Sequence, residues 1–203
     1  MTSLVMTAGY DILEVYLEVY FGGNGMLLYH GSPTPRIRSL CPRLSNHGKP
    51  YVYLTDSPVL ATIYAWNPVP RPYTYFPYWW GKDGMLYYDE YFPNAMETVY
   101  QGHEGHLYCC EAELPRLENM PWISISESPV AVSGCRWIPD LYEELLRLEQ
   151  EGRLICRRYE QRSPREHEQA RQLLLREIDQ YHLRDKDGDP YALFIRDHFP
   201  GLL

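Results

Sequence analysis

Short apolar runs bounded by glycine and proline recur along the chain and predict β-strands. The first two runs cover 27–30 and 51–55, and both are rich in aromatic and β-branched residues. Two later runs, over 105–114 and 122–132, show enough alternation of apolar and polar positions to predict further strands. A last short strand is expected over 153–159. The pattern therefore predicts several strands that come in groups.

Helices are predicted where apolar residues recur every three or four positions after a start signal. Ser163, Pro164 and Glu166 combine a capping box with proline in the first turn, and they start a helix that runs to about residue 182. The first predicted helix begins at Asp56, Ser57 or Pro58 and has Leu60, Ala61, Tyr64 and Ala65 on one face. The remaining predicted helices cover 93–101, 139–151 and 189–200. Because strands are grouped rather than alternating strictly with helices, the predicted class is α+β.

Two stretches lack a sustained period. Residues 66–92 are crowded with tyrosine, tryptophan and proline, and they predict either a long structured loop over a site or an apolar insertion on a sheet edge. Residues 1–25 contain a repeated Leu-Glu-Val-Tyr unit followed by glycines, and they are interpreted as an appendage. One domain is therefore expected over 26–203, with C-terminal helices from about 139.

The composition narrows the classes of function. A net charge of −8 and an isoelectric point near 5.4 argue against a protein that binds phosphate backbones, which takes most of its affinity from cations. The five cysteines form no CxxC pair, so we expect them to be reduced and the compartment to be cytoplasmic. No apolar run reaches 18 residues, so no membrane association is expected. The chain has neither a GxGxxG motif nor a Walker loop.

One set of motifs carries specific chemistry. His30, Gly31 and Ser32 end the first strand, Tyr53 lies in the second, and Tyr64 follows eleven positions later in the predicted helix. This order and spacing resemble the His-Tyr-Glu clade of ADP-ribosyltransferases, which includes poly(ADP-ribose) polymerases, diphtheria-like toxins and rifamycin-modifying transferases. The resemblance covers 27–65 well and 105–132 loosely. It implies an ADP-ribosyltransferase-like split sheet of mixed or antiparallel strands, with flanking helices and a helical C-terminal extension.

The resemblance implies NAD⁺ as substrate and a role for each of these residues. Tyr53 and Tyr64 would sandwich the nicotinamide ring, which agrees with the preference of flat rings for stacking. Gly31 would let its backbone approach the carboxamide. His30 would hold a hydroxyl of the adenosine ribose, and Ser32 belongs to the same binding motif. No metal is expected.

The catalytic carboxylate is assigned to Glu127. A carboxylate beside the nicotinamide ribose stabilises the positive charge that grows as the glycosidic bond breaks. In the family this residue starts a late core strand, and Glu127 within 122–132 fits that layout best. Glu111 and Glu113 on the preceding strand are alternatives, and Glu90 and Glu97 are weaker ones.

The predicted function is NAD-dependent mono-ADP-ribosyl transfer to a protein, nucleic acid or small molecule. Mono-transfer is expected because no helical regulatory or DNA-binding domain is recognisable, and the aromatic 66–92 stretch is expected to contact the acceptor. Ala61 departs from the pattern, because poly(ADP-ribose) polymerase-like members have a serine there that binds the carboxamide. The alternative is therefore a catalytically weak module that binds NAD⁺, ADP-ribose or a protein. An RNA 2′-phosphotransferase-like enzyme of the same fold is disfavoured by the acidic charge.

Two local patterns imitate metal sites. His103 and His106 have a spacing that metals use on helices, but Gly102 and Gly105 predict a turn with no third ligand. Residues 185–189 resemble a calcium loop, but the glycine comes too early. We therefore expect 185–189 to form a turn and a helix cap.

Overall fold

The strands and helices follow one another along residues 26–44, 48–67 and 77–203, which are the parts that this computed structural model describes. The strands are β1 (Leu27–Ser32), β2 (Ser39–Leu40), β3 (Arg43–Leu44), β4 (Pro50–Thr55), β5 (Tyr78–Trp80), β6 (Leu86–Asp89), β7 (Gly105–Glu111), β8 (Arg116–Leu117), β9 (Met120–Ser126), β10 (Val130–Ala131), β11 (Gly134–Ile138) and β12 (Leu154–Arg157). The helices are α1 (Pro58–Ile63), α2 (Ala95–Tyr100), α3 (Leu141–Gln150), α4 (Pro164–Gln180) and α5 (Pro190–His198), with short 3₁₀ turns at Tyr159–Gln161 and Leu183–Asp185. The predicted α+β class is confirmed. The proposed appendage, 1–25, lies outside the described residues.

The main sheet is antiparallel and has the strand order β11-β7-β1-β4-β9-β8, with β3 added to β4. Strand β1 pairs with β7 over its whole length, from Leu27 to Ser32. It pairs with β4 at a single position, Tyr29 opposite Thr55. Strands β1 and β4 therefore separate beyond Tyr29, and the sheet opens between them.

The side chain of His30 lies at this opening. Its Nδ1–H donates to the backbone carbonyl of Tyr53 at 2.9 Å. Continued antiparallel pairing would have set Tyr53 opposite Gly31, so the imidazole supplies a donor where the ladder of backbone bonds has ended. The sheet can thus open here without leaving that carbonyl unpaired.

Helix α1 packs closely on β1 at Gly31. A Cβ atom on Gly31 would lie 1.8 Å from the backbone oxygen of Ala61 and 2.6 Å from the nitrogen of Ala65. Only glycine permits this approach. Ser57 caps the helix by accepting from the Leu60 N–H at 3.1 Å, and Pro58 occupies its first turn, as predicted. The helix ends at Ile63, so Tyr64 is its C-cap residue and not a residue of its interior.

A second, smaller sheet has the order β5-β6-β12, with β12 parallel to β6. Its first two strands fall within 66–92, so the prediction of a long structured loop there is wrong for 78–80 and 86–89. Aromatic side chains favour strands, and Gly81 and Gly84 flank the tight connection between β5 and β6. Residues 68–76 of the same stretch lie outside the described part of the chain.

A charged network joins the second sheet to α4. Asp89 of β6 is only 6% exposed and accepts from Nε of Arg157 at 2.7 Å and from Nε1 of Trp79 at 3.1 Å. Arg157 also donates to Oε1 of Glu166 at 2.7 Å. Glu166 completes the capping box of α4 by accepting from the Ser163 N–H at 2.9 Å, so that predicted start signal is confirmed.

Most buried side chains form one large cluster between the two sheets and the helices. It includes Leu60 and Ile63 from α1, Leu141 and Leu145 from α3, and Leu174 from α4. A smaller cluster on the other face of the main sheet contains Leu28, Leu40, Val52, Leu54, Cys110 and Val130. The C-terminal helices therefore share the main core with the sheets.

The strands expected from the sequence need correction at two further places. The predicted strand over 122–132 is divided, because β9 ends at Ser126 and β10 begins only at Val130. Glu127 thus lies in the connection between them. Strand β11 was not predicted, because it is a short edge strand that begins with a glycine and its apolar residues Cys135 and Trp137 are exposed instead of buried. The helices expected over 93–101, 139–151, 163–182 and 189–200 are confirmed as α2, α3, α4 and α5.

Candidate functional site

A cavity of about 650 Å³ lies where the main sheet opens and the second sheet approaches it. Its volume falls in the range of pockets that bind small molecules. Its walls come from β1, β4, α1, the start of β5, the segment after β6, β9 and α4. The residues that line it are Tyr29, His30, Gly31, Tyr53, Leu54, Thr55, Leu60, Ala61, Tyr64, Pro77, Tyr78, Tyr91, Met120, Trp122, Ile123 and Leu173.

Four of the six predicted site residues line this cavity. His30 and Gly31 come from β1, Tyr53 from β4 and Tyr64 from the end of α1. Their joint position follows from two local features already described. The sheet opens beside His30, and the missing Cβ of Gly31 lets α1 bring Tyr64 close to the strands.

The imidazole of His30 is held in one tautomer and is neutral near neutral pH. Its Nδ1 carries the proton that is donated to Tyr53, so Nε2 is the acceptor of the ring. Burial lowers the pKa of His30 below its usual value of 6.5; the bond to Tyr53 opposes this shift, and the positive charge of Arg43 adds to it. His30 therefore offers a hydrogen-bond acceptor rather than a cation.

Aromatic rings form one side of the cavity. Tyr64 is 39% exposed, and its ring meets that of Tyr78 edge to face at a centroid distance of 5.8 Å. The hydroxyl of Tyr64 donates to that of Tyr78 at 3.2 Å. Tyr53 is half-buried in β4, and Tyr51 meets its ring edge to face at 5.9 Å. The two predicted stacking residues thus both face the cavity, and Tyr64 is braced by a third tyrosine that the sequence did not single out.

The other two predicted site residues do not line the cavity. Ser32 is buried, and its hydroxyl accepts from the Thr34 N–H at 3.1 Å, which stabilises the turn after β1. Glu127 is exposed in the connection after β9. Ile123 is the last residue of β9 that lines the cavity. Glu127 lies four residues further along the chain, and four residues span about 13 Å at the usual rise of a strand.

The alternative carboxylates also lie outside the cavity lining. Glu111 and Glu113 are exposed at the end of β7 that pairs with Leu27, away from Gly31. Glu90 is buried, and its two oxygens accept from the backbone N–H groups of Met96 and Tyr159. Among the residues described, no Asp, Glu, Lys or Arg side chain lines the cavity.

Ala61 lines the cavity without offering a polar side chain. The nearby hydroxyl of Thr55 already accepts from the backbone N–H of Ser57 at 3.1 Å. A carboxamide in this region would therefore find its partners mainly among backbone groups of β1. This agrees with the expectation that the serine clamp of the polymerase-like sites is missing.

Several cavity residues were missed by sequence reasoning. Tyr91 and Leu173 lie outside the region covered by the family resemblance, and Trp122 lies where that resemblance is loose. The aromatic run around Tyr78 was a usable signal, since rings that flank a glycine-containing turn favour a hairpin. Nothing local marks Leu173, which reaches the site only because α4 packs against the second sheet.

The two motifs that imitate metal sites have structural roles. The ring of His103 stacks on Trp66 at a centroid distance of 4.0 Å, and His106 is buried in β7. Asp189 caps α5 and Asp187 pairs with Arg196 at 2.6 Å, which confirms the predicted turn and cap. Over the described ranges, no group of three or more His, Cys, Asp or Glu side chains could hold a metal ion. None of the helices in the same ranges has the length and apolar character that a membrane span requires.

Comparisons of this chain with protein-family models, with curated proteins and with solved structures found no match.

Proposed function

We propose that this chain binds NAD⁺ in the manner of the ADP-ribosyltransferases and transfers one ADP-ribose unit to an acceptor. One observation carries the proposal. His30, Gly31, Tyr53 and Tyr64, which resemble the NAD⁺-binding motifs of that family, line a single cavity although they come from three separate elements. A motif match along the sequence does not by itself require that all four side chains border the same cavity.

The chemistry of the cavity supports nicotinamide as the group bound there. Tyr53 and Tyr64 both line the cavity, and stacking of a flat ring on a tyrosine ring contributes about 0.5–1.5 kcal/mol per pair. His30 keeps Nε2 as an acceptor for a ribose hydroxyl, because its Nδ1 is already bonded to Tyr53. A neutral imidazole suits that role better than a cation would, since nicotinamide in NAD⁺ is itself positively charged.

The opening of the main sheet also supports the proposal. An ADP-ribosyltransferase-like core is expected to have a split sheet, and β1 and β4 pair at one position only before they separate. The cavity lies at this separation, next to the end of β1 that carries the His-Gly-Ser motif.

A second candidate function is a module of the same kind that binds NAD⁺ or ADP-ribose without transfer. The observation that favours it is the uncharged lining of the cavity in the described chain, since the family resemblance requires a carboxylate beside the nicotinamide ribose. Glu127, the predicted carboxylate, is exposed beyond the end of β9. The alanine at position 61 favours the same candidate.

One experiment separates the two candidates. NAD⁺ binding is measured by calorimetry and nicotinamide release by chromatography, with the chain as it is and with Glu127→Gln. A transferase that uses Glu127 would keep its NAD⁺ affinity in this variant and lose about 100-fold or more of its release rate. Glu118→Gln, an exposed carboxylate change in the turn between β8 and β9, is the matched control and should leave the rate unchanged, since Glu118 is not a candidate carboxylate.

The possible results have distinct meanings. NAD⁺ binding without nicotinamide release would favour the binding module. Release that Glu127→Gln does not slow would show that another carboxylate acts. An absence of any binding of NAD⁺, ADP-ribose or nicotinamide would contradict both candidates.

A further inference from the structure

The cavity extends well past the nicotinamide end formed by His30, Gly31, Tyr53 and Tyr64. Its lining also carries the rings of Tyr78, Tyr91 and Trp122, which we call the aromatic wall, and Tyr78 connects this wall to the nicotinamide end through its contact with Tyr64. Tyr78 and Tyr91 flank the hairpin of the second sheet, and Trp122 lies in β9. One nicotinamide ring would occupy only part of a cavity of about 650 Å³, so the aromatic wall is free to contact a second ligand group.

Neighbouring side chains hold the aromatic wall in place. The guanidinium of Arg162 lies over the ring of Tyr91 at 4.8 Å from its centroid. Arg162 is itself buried and donates to the backbone oxygen of Glu90 at 3.0 Å. The ring of Trp122 lies 6.2 Å from that of Trp80. The wall is therefore arranged before a ligand arrives, which reduces the ordering cost of binding.

The charge of the lining limits what can bind there. In the described part of the chain the cavity has no charged side chain, and the guanidinium of Arg162 lies behind the ring of Tyr91. Burial raises the pKa of Tyr91, so its phenol stays neutral. An anionic ligand group would lose its hydration without gaining a counter-ion. The pyrophosphate of NAD⁺ is therefore a poor occupant of this side, whereas a neutral flat ring is a good one.

We infer that the aromatic wall is the acceptor subsite, and that the acceptor is a neutral, flat small molecule with a hydroxyl group on or near its rings. This inference rests on the proposed function. In the transfer, the acceptor oxygen forms a bond to C1′ of the nicotinamide ribose while the bond from C1′ to the nicotinamide nitrogen breaks. The electron pair of the broken bond leaves with nicotinamide and neutralises its charge. The hydroxyl proton of the acceptor passes to water.

The test uses 2-naphthol as a neutral, flat, hydroxyl-bearing probe and 2-naphthoate as its charged counterpart. Calorimetric titrations are run on the unmodified full chain, with and without saturating nicotinamide. We expect 2-naphthol to bind in the presence of nicotinamide, and 2-naphthoate to bind at least about tenfold more weakly. This comparison needs no variant, so it does not depend on how well any variant folds.

Variants then locate the bound probe. Tyr91→Leu and Trp122→Leu should each weaken 2-naphthol binding by about two- to tenfold, because each removes one stacked ring. Tyr91→Phe keeps the ring and should keep the affinity. Trp137→Leu is the matched control, since Trp137 is 58% exposed on β11 and does not line the cavity.

The results that overturn the inference differ from those that overturn the proposed function. Nicotinamide binding without 2-naphthol binding would overturn the inference alone. Three other results would also overturn the inference alone. They are direct competition between nicotinamide and 2-naphthol, equal affinities for 2-naphthoate and 2-naphthol, and equal affinities of the Tyr91→Leu and Trp137→Leu variants for 2-naphthol. A failure of the unmodified chain to bind nicotinamide would overturn the proposed function, and the acceptor role of the wall with it.

Discussion

Replacing Gly31 by alanine tests the close packing of β1 against α1. The added Cβ would lie 1.8 Å from the Ala61 oxygen, 2.6 Å from the Ala65 nitrogen and 2.9 Å from the Ala61 carbonyl carbon. All three are backbone atoms, so no side-chain rotation can relieve the contact. Gly31 does not have a positive φ, so alanine meets no conformational strain of its own. The whole effect of the substitution should therefore come from the overlap with α1.

The expected loss of stability depends on how far helix α1 must move away from β1. Helix α1 carries Leu60 and Ile63 into the main core, where both are fully buried, so a shift of the helix away from β1 disturbs packing along its length. Overpacking of a core typically costs 1–3 kcal/mol, and a clash with backbone belongs at the upper end. We expect a loss of about 3 kcal/mol in the free energy of unfolding, which for a chain of this size lowers Tm by about 6–12 °C.

The assay is urea unfolding followed by tryptophan fluorescence and by circular dichroism. Gly188→Ala is the matched control, because Gly188 is exposed between α4 and α5, has no positive φ, and a Cβ there would meet nothing within 4 Å. We expect that control to be neutral or slightly stabilising, by up to about 1 kcal/mol. A Gly31→Ala chain as stable as the Gly188→Ala chain would refute the packing argument.

The remaining predictions concern the cavity and the network beside it. Burial lowers the pKa of His30 in the folded chain, so the unfolded chain takes up this proton first as the pH falls below 6.5. The free energy of unfolding should therefore decrease as the pH falls below that value. Urea titrations at several pH values should show that its change per pH unit is smaller in His30→Gln than in the unmodified chain, by up to about 1.4 kcal/mol; equal changes in the two chains would contradict the assignment. Tyr64→Leu should weaken nicotinamide binding by about two- to tenfold in calorimetry, whereas Tyr64→Phe keeps the stacking face and should bind normally. Arg157→Leu leaves the buried carboxylate of Asp89 with fewer partners and should cost about 2 kcal/mol in thermal unfolding; an unchanged Tm would argue against this role.

Elements with strong local signals could be predicted from the sequence. Helix α4 begins at its capping box, and α1 begins at Ser57 and Pro58, because caps depend only on residues within one turn. Strands β1 and β4 are short β-rich runs next to turn residues, and both were expected close to their observed ranges. In each case the information lies in a few consecutive residues.

Elements whose formation depends on distant partners were harder to predict. Strand β11 pairs with β7 as an edge strand, and its two exposed residues are the apolar Cys135 and Trp137, so burial does not follow the apolar pattern of the sequence there. Strand β6 is paired on one side with β12, which comes more than sixty residues later. The parallel pairing could not be foreseen from residues 66–92 alone. Apolar periodicity placed Tyr64 inside the helix, but α1 ends at Ile63 and Tyr64 is its C-cap residue.

The candidate site also contains residues that could be predicted from the sequence and one whose position was predicted wrongly. Spacing along one segment was enough to select His30, Gly31, Tyr53 and Tyr64, since β1, β4 and α1 are neighbours in both sequence and space. The choice of Glu127 assumed that β9 continued through it. The strand ends one residue earlier, at a turn in which the Ser126 hydroxyl accepts from the Ser128 N–H at 3.1 Å and donates to the Ser128 oxygen at 2.8 Å. A serine on each side of the glutamate was a sign of such a turn.

His30 and Gly31 each combine a structural role with their position in the cavity, and this determines how variants should be interpreted. The imidazole of His30 satisfies the Tyr53 carbonyl where the sheet opens, and the missing side chain of Gly31 admits α1. A loss of ligand binding in either variant could therefore follow from a disturbed cavity without any lost contact to the ligand. Tyr64 has a smaller structural role, because it is partly exposed and lies after the last residue of α1, and both of its variants lose the hydroxyl that donates to Tyr78. The comparison of Tyr64→Leu with Tyr64→Phe is consequently the sharper test of stacking, since only the flat ring face differs greatly between the two variants.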